Sequence, residues 1–129
     1  MAKVLGIGGI FFKSKDHQKL ANWYAECLGI PVDEQWWGAN LHPGTLPPEA
    51  YTVWSPFKDT TTYFDPSEKE FMINLIVDDV AEALQQVKQA GGTITGDIET
   101  LEYGVFGWFV DPEGNKVELW TPAPPTDAA

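Results

Sequence analysis

The groups in this sequence that could carry a proton, a metal or a nucleophile's role are two histidines, one cysteine and a surplus of carboxylates. His17 falls in the first turn of a predicted helix, where it faces solvent. His42 precedes Pro43 in a loop, where a surface role is the default. Cys27 has no disulfide partner within the chain and stands at a helical core spacing, so it reads as a small buried hydrophobe, with a reactive thiol the poorer reading. The run Gly6-Ile7-Gly8-Gly9 has the glycine density of a phosphate loop but not its context. A dinucleotide fingerprint needs its last glycine to open a helix, whereas here an apolar strand pattern continues through Ile10-Phe11-Phe12. The 19 acids against 8 bases give a formal charge of -11, which would repel a phosphate backbone and excludes nucleic acid as a partner. The same field would concentrate cationic small molecules, although a solvated surface that keeps the protein soluble accounts for most of it.

The elements that must position any such group follow an α+β plan. Val4 to Phe12 reads as a strand whose glycines admit something close to the backbone. A helix starts near Asp16, which can cap it, carries Leu20, Trp23, Tyr24, Cys27 and Leu28 on one face, and stops at Gly29. The second half repeats this plan with a strand at Phe71 to Val77. There Asp79 caps a helix with Glu82 three residues on, and the stripe Val80, Ala83, Leu84 and Val87 runs up to Gly91-Gly92. Gly29 and Gly92 stand 63 positions apart, and so do Asp16 and Asp79, so two independent landmarks give one offset. Each half closes alike, with Tyr51-Thr52-Val53-Trp54-Ser55-Pro56 paralleling Val117-Glu118-Leu119-Trp120-Thr121-Pro122.

The clearest local signal is a β-hairpin: Phe106 to Val110, a turn through Asp111-Pro112-Glu113-Gly114-Asn115, then Lys116 to Trp120. The corresponding middle of the first half, Pro31 to Pro48, carries Trp36-Trp37 and a Pro/Gly stretch at His42-Pro43-Gly44 in place of a regular strand pattern. The reading is one domain over 1–129, with module one at 4–56, a polar linker at 57–70, module two at 71–122 and a frayed tail at 123–129. A chain of 129 residues buries roughly two thirds of its unfolded surface, enough for one core. No apolar run approaches the roughly 20 residues that cross a bilayer, and Met1-Ala2-Lys3-Val4 leads straight into a strand pattern, so a soluble cytoplasmic protein is expected.

The runs Gly9 to Asp16, Trp23-Tyr24-Ala25-Glu26-Cys27-Leu28-Gly29-Ile30 and Phe109-Val110-Asp111-Pro112-Glu113-Gly114-Asn115-Lys116-Val117-Glu118-Leu119 resemble both ends of vicinal oxygen chelate domains, the glyoxalase, bleomycin-resistance and extradiol dioxygenase-like family. The resemblance implies two tandem β-α-β-β-β modules forming a cupped mixed sheet with helices on its outer face, a ligand on the inner face, and a homodimer. Metal-dependent members place a ligand on the first and last strand of each module. Those positions fall here at Gly9, Thr52, Met72 and Glu118, of which Glu118 is the one competent donor. Glycine has no side chain, a thioether suits copper(I), and a threonine hydroxyl is weak, so no metal and no cofactor are expected. His42 as a polar contact at the cleft rim is a better reading than a displaced metal site made with Glu118.

Alternation from those positions puts Phe11, Thr52, Trp54, Met72, Asn74, Glu118 and Trp120 on the inner face. One of Trp108 or Phe109 joins them beside Glu118, and the turn geometry decides which. Three functions are open at this point. The chain is a metal-independent small-molecule binding protein with a cationic or aromatic ligand, a lyase, isomerase or dioxygenase with Glu118 as base or metal ligand, or a ligand-free dimerisation domain. The first is the expectation, because aromatics, a methionine, an amide and one acid compose a binding surface. Each residue also has a plainer use: the tryptophans as core filler, Glu118 paired with a lysine, Asn74 bonded to backbone.

Overall fold

The computed structural model of the chain describes residues 1–5 and 7–124. Gly6 of the first expected strand and residues 125–129 of the expected tail lie outside the described residues. Two helices, α1 (His17–Leu28) and α2 (Val80–Gln89), cover one face of a sheet made of β1 (Ile73–Ile76), β2 (Thr93–Leu101), β3 (Gly104–Val110) and β4 (Lys116–Pro122). The sheet order is β1-β4-β3-β2, with β1 parallel to β4 and the other two pairings antiparallel. The fold is α+β with a mixed, open sheet. Among the described residues no helix is long and apolar enough to cross a membrane.

Both helices form where capping and apolar spacing agree. The Asp16 carboxylate accepts from the Lys19 amide at 3.1 Å, and Gly29 ends α1 at φ 70°, a left-handed conformation that glycine adopts without a Cβ clash. Asp79 does the same for α2, accepting from Glu82 N at 3.0 Å. Leu20, Tyr24 and Cys27 of α1 and Val80, Ala83, Leu84 and Val87 of α2 are buried against Phe109, Val117 and Leu119 of the sheet. Fully burying such a side chain contributes roughly 1.5–3 kcal/mol, and Phe109, Leu119, Val87 and Val117 are the largest that are wholly enclosed. The close approach of α2 to β3 requires Gly107, where an added Cβ would stand 2.7 Å from Leu84 Cδ1 and 2.9 Å from Val80 Cγ1.

The turn between β3 and β4 is fixed by one side chain. Asp111 Oδ1 accepts from the amides of Glu113 at 2.9 Å and Asn115 at 3.0 Å, and Oδ2 accepts from Asn115 Nδ2 and the Tyr24 hydroxyl, both at 2.8 Å. Four donors on a buried carboxylate tie α1 to the hairpin. Burial, and then the adjacent Asp111 charge, push the Tyr24 phenol well above its usual pKa. At the other end of α1, Glu113 accepts from the Ser14 hydroxyl at 2.7 Å and from the amides of Lys15 at 2.7 Å and Asp16 at 3.1 Å.

The first half departs from the strands expected of it. Neither Val4–Phe12 nor the stretch 51–56 enters a ladder among the described residues. A strand exists only where a neighbour takes its backbone N–H and C=O groups, and within the sheet β3 and β4 already have neighbours on both sides. The free edges belong to β1 and β2, and neither first-half segment pairs with them. The middle of that half holds one isolated bridge, Asp33 to Gly38, and a short 3₁₀ turn at Pro43–Thr45.

Candidate functional site

The open face of the sheet, opposite the helices, gathers four of the residues expected at a site. Register places Asn74 beside Glu118, Glu118 beside Trp108, and Trp120 beside Phe106. Trp108 rather than Phe109 therefore faces Glu118. Phe109 takes the other face and is fully enclosed in the core against Trp23 and Tyr24, which corrects its expected place beside the carboxylate.

Glu118 is 9% exposed at the centre of this face and accepts from three neutral donors. Asn74 Nδ2 donates to Oε1 at 2.7 Å; Trp108 Nε1, at 2.9 Å, and the Tyr63 hydroxyl both donate to Oε2. No lysine holds it. The Trp120 indole stacks on Phe106 with ring centroids 5.9 Å apart, meets Tyr51 edge-on at 5.0 Å, and donates to the Tyr103 carbonyl at 2.9 Å.

Beside Trp108 lies a cavity of about 460 Å³. The local distortion of β2 between Thr95 and Glu99, with Gly96 at φ 70°, lets Asp97 and Glu99 line it together with Asp65 and Lys116. Three acids against one cation favour positive or dipolar groups there, and Trp108 supplies an apolar wall. Trp108 both walls this cavity and donates to Glu118, which itself does not line it.

The other expected residues are elsewhere. Met72 stands immediately before β1 and is half-buried. Phe11, Thr52 and Trp54 lie on the unpaired first-half segments, with Phe11 93% and Trp54 78% exposed. His17 and His42 are exposed, and burial pushes the Cys27 thiol up to about 11, which keeps it protonated and unreactive at neutral pH. Among the described residues no three His, Cys, Asp or Glu side chains come together as a metal cage requires. The donor set does not fit a divalent ion, because Gly9 and Thr52 lie off the sheet and the Glu118 oxygens already accept from Asn74, Trp108 and Tyr63.

A family model for the glyoxalase-like domain matches residues 9–120. The chain belongs to the glyoxalase-like domain family. No curated protein matches it. Among solved structures, this glyoxalase-like chain is similar to TnmS3, an antibiotic binding protein from Streptomyces sp. CB03234, at 20% identity and TM-score 0.50 over 84% of this chain and 88% of that one. It is also similar to a member of the glyoxalase/bleomycin resistance protein/dioxygenase superfamily from Sphaerobacter thermophilus, at 36% identity and TM-score 0.35. That match covers 38% of this chain and 40% of that one. A hypothetical protein from S. aureus matches at 25% identity and TM-score 0.38 over 41% of this chain. This chain spans half the length of the staphylococcal protein and two fifths of the Sphaerobacter one.

Two groups of this glyoxalase-like site escape sequence reasoning. Tyr63 sits in the stretch read as a polar linker, yet with Phe57 and Phe64 it forms an aromatic cluster, ring centroids 5.2 to 6.4 Å apart, folded onto the open face. Lys116 donates to the Tyr63 carbonyl at 2.7 Å and stands 5.3 Å from the centre of the Tyr63 ring. Burial, then the bond to Glu118, raise the Tyr63 phenol above its usual pKa, so it remains a donor at neutral pH. Three aromatic residues in an otherwise polar stretch were the available signal.

Proposed function

We propose that this chain is a metal-independent small-molecule binding protein whose organic ligand, aromatic or cationic, sits on the open face of the sheet. Trp108 is its wall and Glu118 its polar anchor, with Asn74, Trp120 and the acids of the β2 distortion around it. The observation that carries the reading is a carboxylate buried at the middle of a sheet face that no helix covers, against Trp108 and beside a cavity of about 460 Å³. Taking a carboxylate out of water is costly, and the apolar core on the helix face has no need of this one. Concave surfaces with apolar walls and a few placed polar groups are how proteins hold small organic molecules.

The first-half segments support a second part of the reading, that two copies assemble as a homodimer. Val4, Leu5, Phe11, Val53 and Trp54 are all exposed on stretches whose composition is that of strands, and β1 and β2 each keep an open edge. A second copy covers such surfaces and closes such edges. Modules at 4–56 and 71–122, joined by 57–70, are then completed in the assembly, and Phe11, Thr52 and Trp54 reach a shared site. Light scattering at micromolar concentration reads twice the mass of one chain; a monomer overturns this part.

The test of binding is a thermal-shift screen of divalent metals and of aromatic and cationic metabolites, since whatever binds only the native state raises its apparent stability. Organic molecules raise the midpoint and metals leave it unchanged. Glu118→Gln and Trp108→Ala then weaken each hit, a cation more than a neutral analogue of the same shape for Glu118→Gln. Hits unaffected by both substitutions would put the site elsewhere.

A further inference from the structure

Resting on that reading, we infer that Tyr63 is an internal stand-in for the ligand: its phenol occupies the seat at Glu118, and the molecule taken there is a neutral ring bearing a hydroxyl, a phenol, which displaces it. The stretch around Tyr63 forms no helix or strand, yet three contacts seat its side chain. The hydroxyl donates to Glu118 Oε2, the ring stands edge-on to Trp108 at 6.4 Å and 83°, and the Lys116 ammonium lies 5.3 Å from the ring centre. A side chain required by the core would be enclosed; this one remains 41% exposed.

Each contact states what the seat accepts. Glu118 takes a hydrogen-bond donor. Trp108, edge-on, takes a flat ring, and edge-to-face pairs are a preferred aromatic geometry. Lys116 selects the charge of that ring, because an ammonium is drawn to an electron-rich π face and repels a second cation. A phenol satisfies all three and is neutral at pH 7, since its ordinary pKa is about 10. A cationic part of the same ligand would sit further out, towards Asp97 and Glu99 in the adjoining cavity.

An occupied seat lowers apparent affinity by the fraction of time the internal group holds it. Losing one hydrogen bond to a carboxylate from that competitor corresponds to roughly ten-fold. The probes are p-cresol, which is the tyrosine side chain freed from the backbone, toluene, which lacks the hydroxyl, and 4-methylbenzylamine, which carries a cation at pH 7. Binding is measured by calorimetry and by the Trp108 indole N–H resonance, on the full chain and its Tyr63→Ala and Tyr63→Phe variants. Tyr63→Phe removes only the hydroxyl and guards against a folding defect in Tyr63→Ala.

p-Cresol is expected to bind roughly ten-fold more tightly to both variants, with Trp108 shifted, while toluene, freed from the same competitor, gains by the same factor and stays the weaker ligand in every variant. Unchanged or weaker p-cresol binding in the variants shows that Tyr63 does not compete and overturns the inference. Toluene or 4-methylbenzylamine binding as tightly as p-cresol in the variants overturns the phenol assignment. So does silence of all three probes in every variant. That result leaves the reading as a binding protein to its own test, which fails only if screened ligands ignore Glu118 and Trp108.

Discussion

Replacing Glu118 separates its part in the fold from the part in binding proposed for it, and the structure sets the size of the first. In Glu118→Gln the amide oxygen can stand where Oε2 stands and keep the bonds from Trp108 and Tyr63. The new NH2 then meets Asn74, an exposed residue whose amide can turn end for end and present its oxygen. No buried donor is stranded. What is lost is charge assistance, about 1 kcal/mol for each bond, from the difference between hydrogen bonds to charged and to neutral partners. Two of the three donors sit on exposed residues, where solvent reduces that loss, and an amide is cheaper to bury than a carboxylate. The net cost is about 1 kcal/mol, a fall of roughly 3–5 °C in Tm for a chain of this size. Glu118→Leu differs in one respect: Tyr63 and Asn74 can turn to water, but the buried Trp108 indole N–H loses the acceptor it has among the described residues, which adds about 1–3 kcal/mol. Urea unfolding of the two variants beside the parent chain measures both costs. If leucine proves no worse than glutamine, or glutamine costs more than about 3 kcal/mol, the bonding around Glu118 is not as described.

The buried tie between α1 and the hairpin should respond asymmetrically. Tyr24→Phe removes one of four donors to Asp111 and costs about 1–2 kcal/mol, whereas Asp111→Ala strands the Tyr24 hydroxyl and the Asn115 amides and costs at least twice that, both read by urea unfolding. Glu113 carries a pH signature, because the Ser14 hydroxyl foremost, and then the Lys15 and Asp16 amides, lower its pKa in the folded chain. A depressed carboxyl adds stability above its unfolded value near 4.3 and loses it as pH falls through the folded value. Glu113→Gln should therefore lower the stability at pH 7 by about 1 kcal/mol after allowance for its exposure, read as a fall in Tm, with the gap to the parent closing below about pH 4. A gap that is constant with pH would show that the carboxylate is not held in its charged form. Gly107→Ala pushes a methyl into Leu84 and Val80 and should cost about 1–3 kcal/mol in calorimetric unfolding, relieved in part by Leu84→Ala; additive effects would mean that α2 does not press on β3 there.

How much of this was legible in the sequence depends on how local the cause is. The helices were readable to within a residue or two because cap, apolar stripe and stop are all written within a dozen positions: Asp16 to Gly29, and Asp79 to the glycines after Gln89. The hairpin was readable because its turn residues specify it. The choice between Trp108 and Phe109 was not, since it needs the pairing of Val110 with Lys116 across the turn; once that pair is set, Trp108 falls opposite Glu118, and a slip of one residue would have reversed the faces. The first-half strands have the right residues, but a strand is a relation between two segments, and nothing in Val4–Phe12 names its neighbour.

Tyr63 was hidden for a different reason. Periodicity finds residues that lie on regular elements, and the stretch 57–70 has none, so its polar majority outweighed Phe57, Tyr63 and Phe64. Yet an aromatic side chain left on such a stretch is under the same pressure to leave water as one on a strand, and with no core position reserved for it, the accessible apolar surface is the open face of the sheet. A donor-bearing aromatic arriving there meets the buried Glu118 carboxylate and bonds to it. The chemistry that would let Glu118 and Trp108 recognise a small molecule is thus the chemistry that draws the chain's own tyrosine onto them. A ligand of this site would compete with a group held at high effective concentration by the backbone, so that Tyr63 would set the affinity threshold for all ligands alike, while Glu118, Trp108 and Lys116 would set the preference.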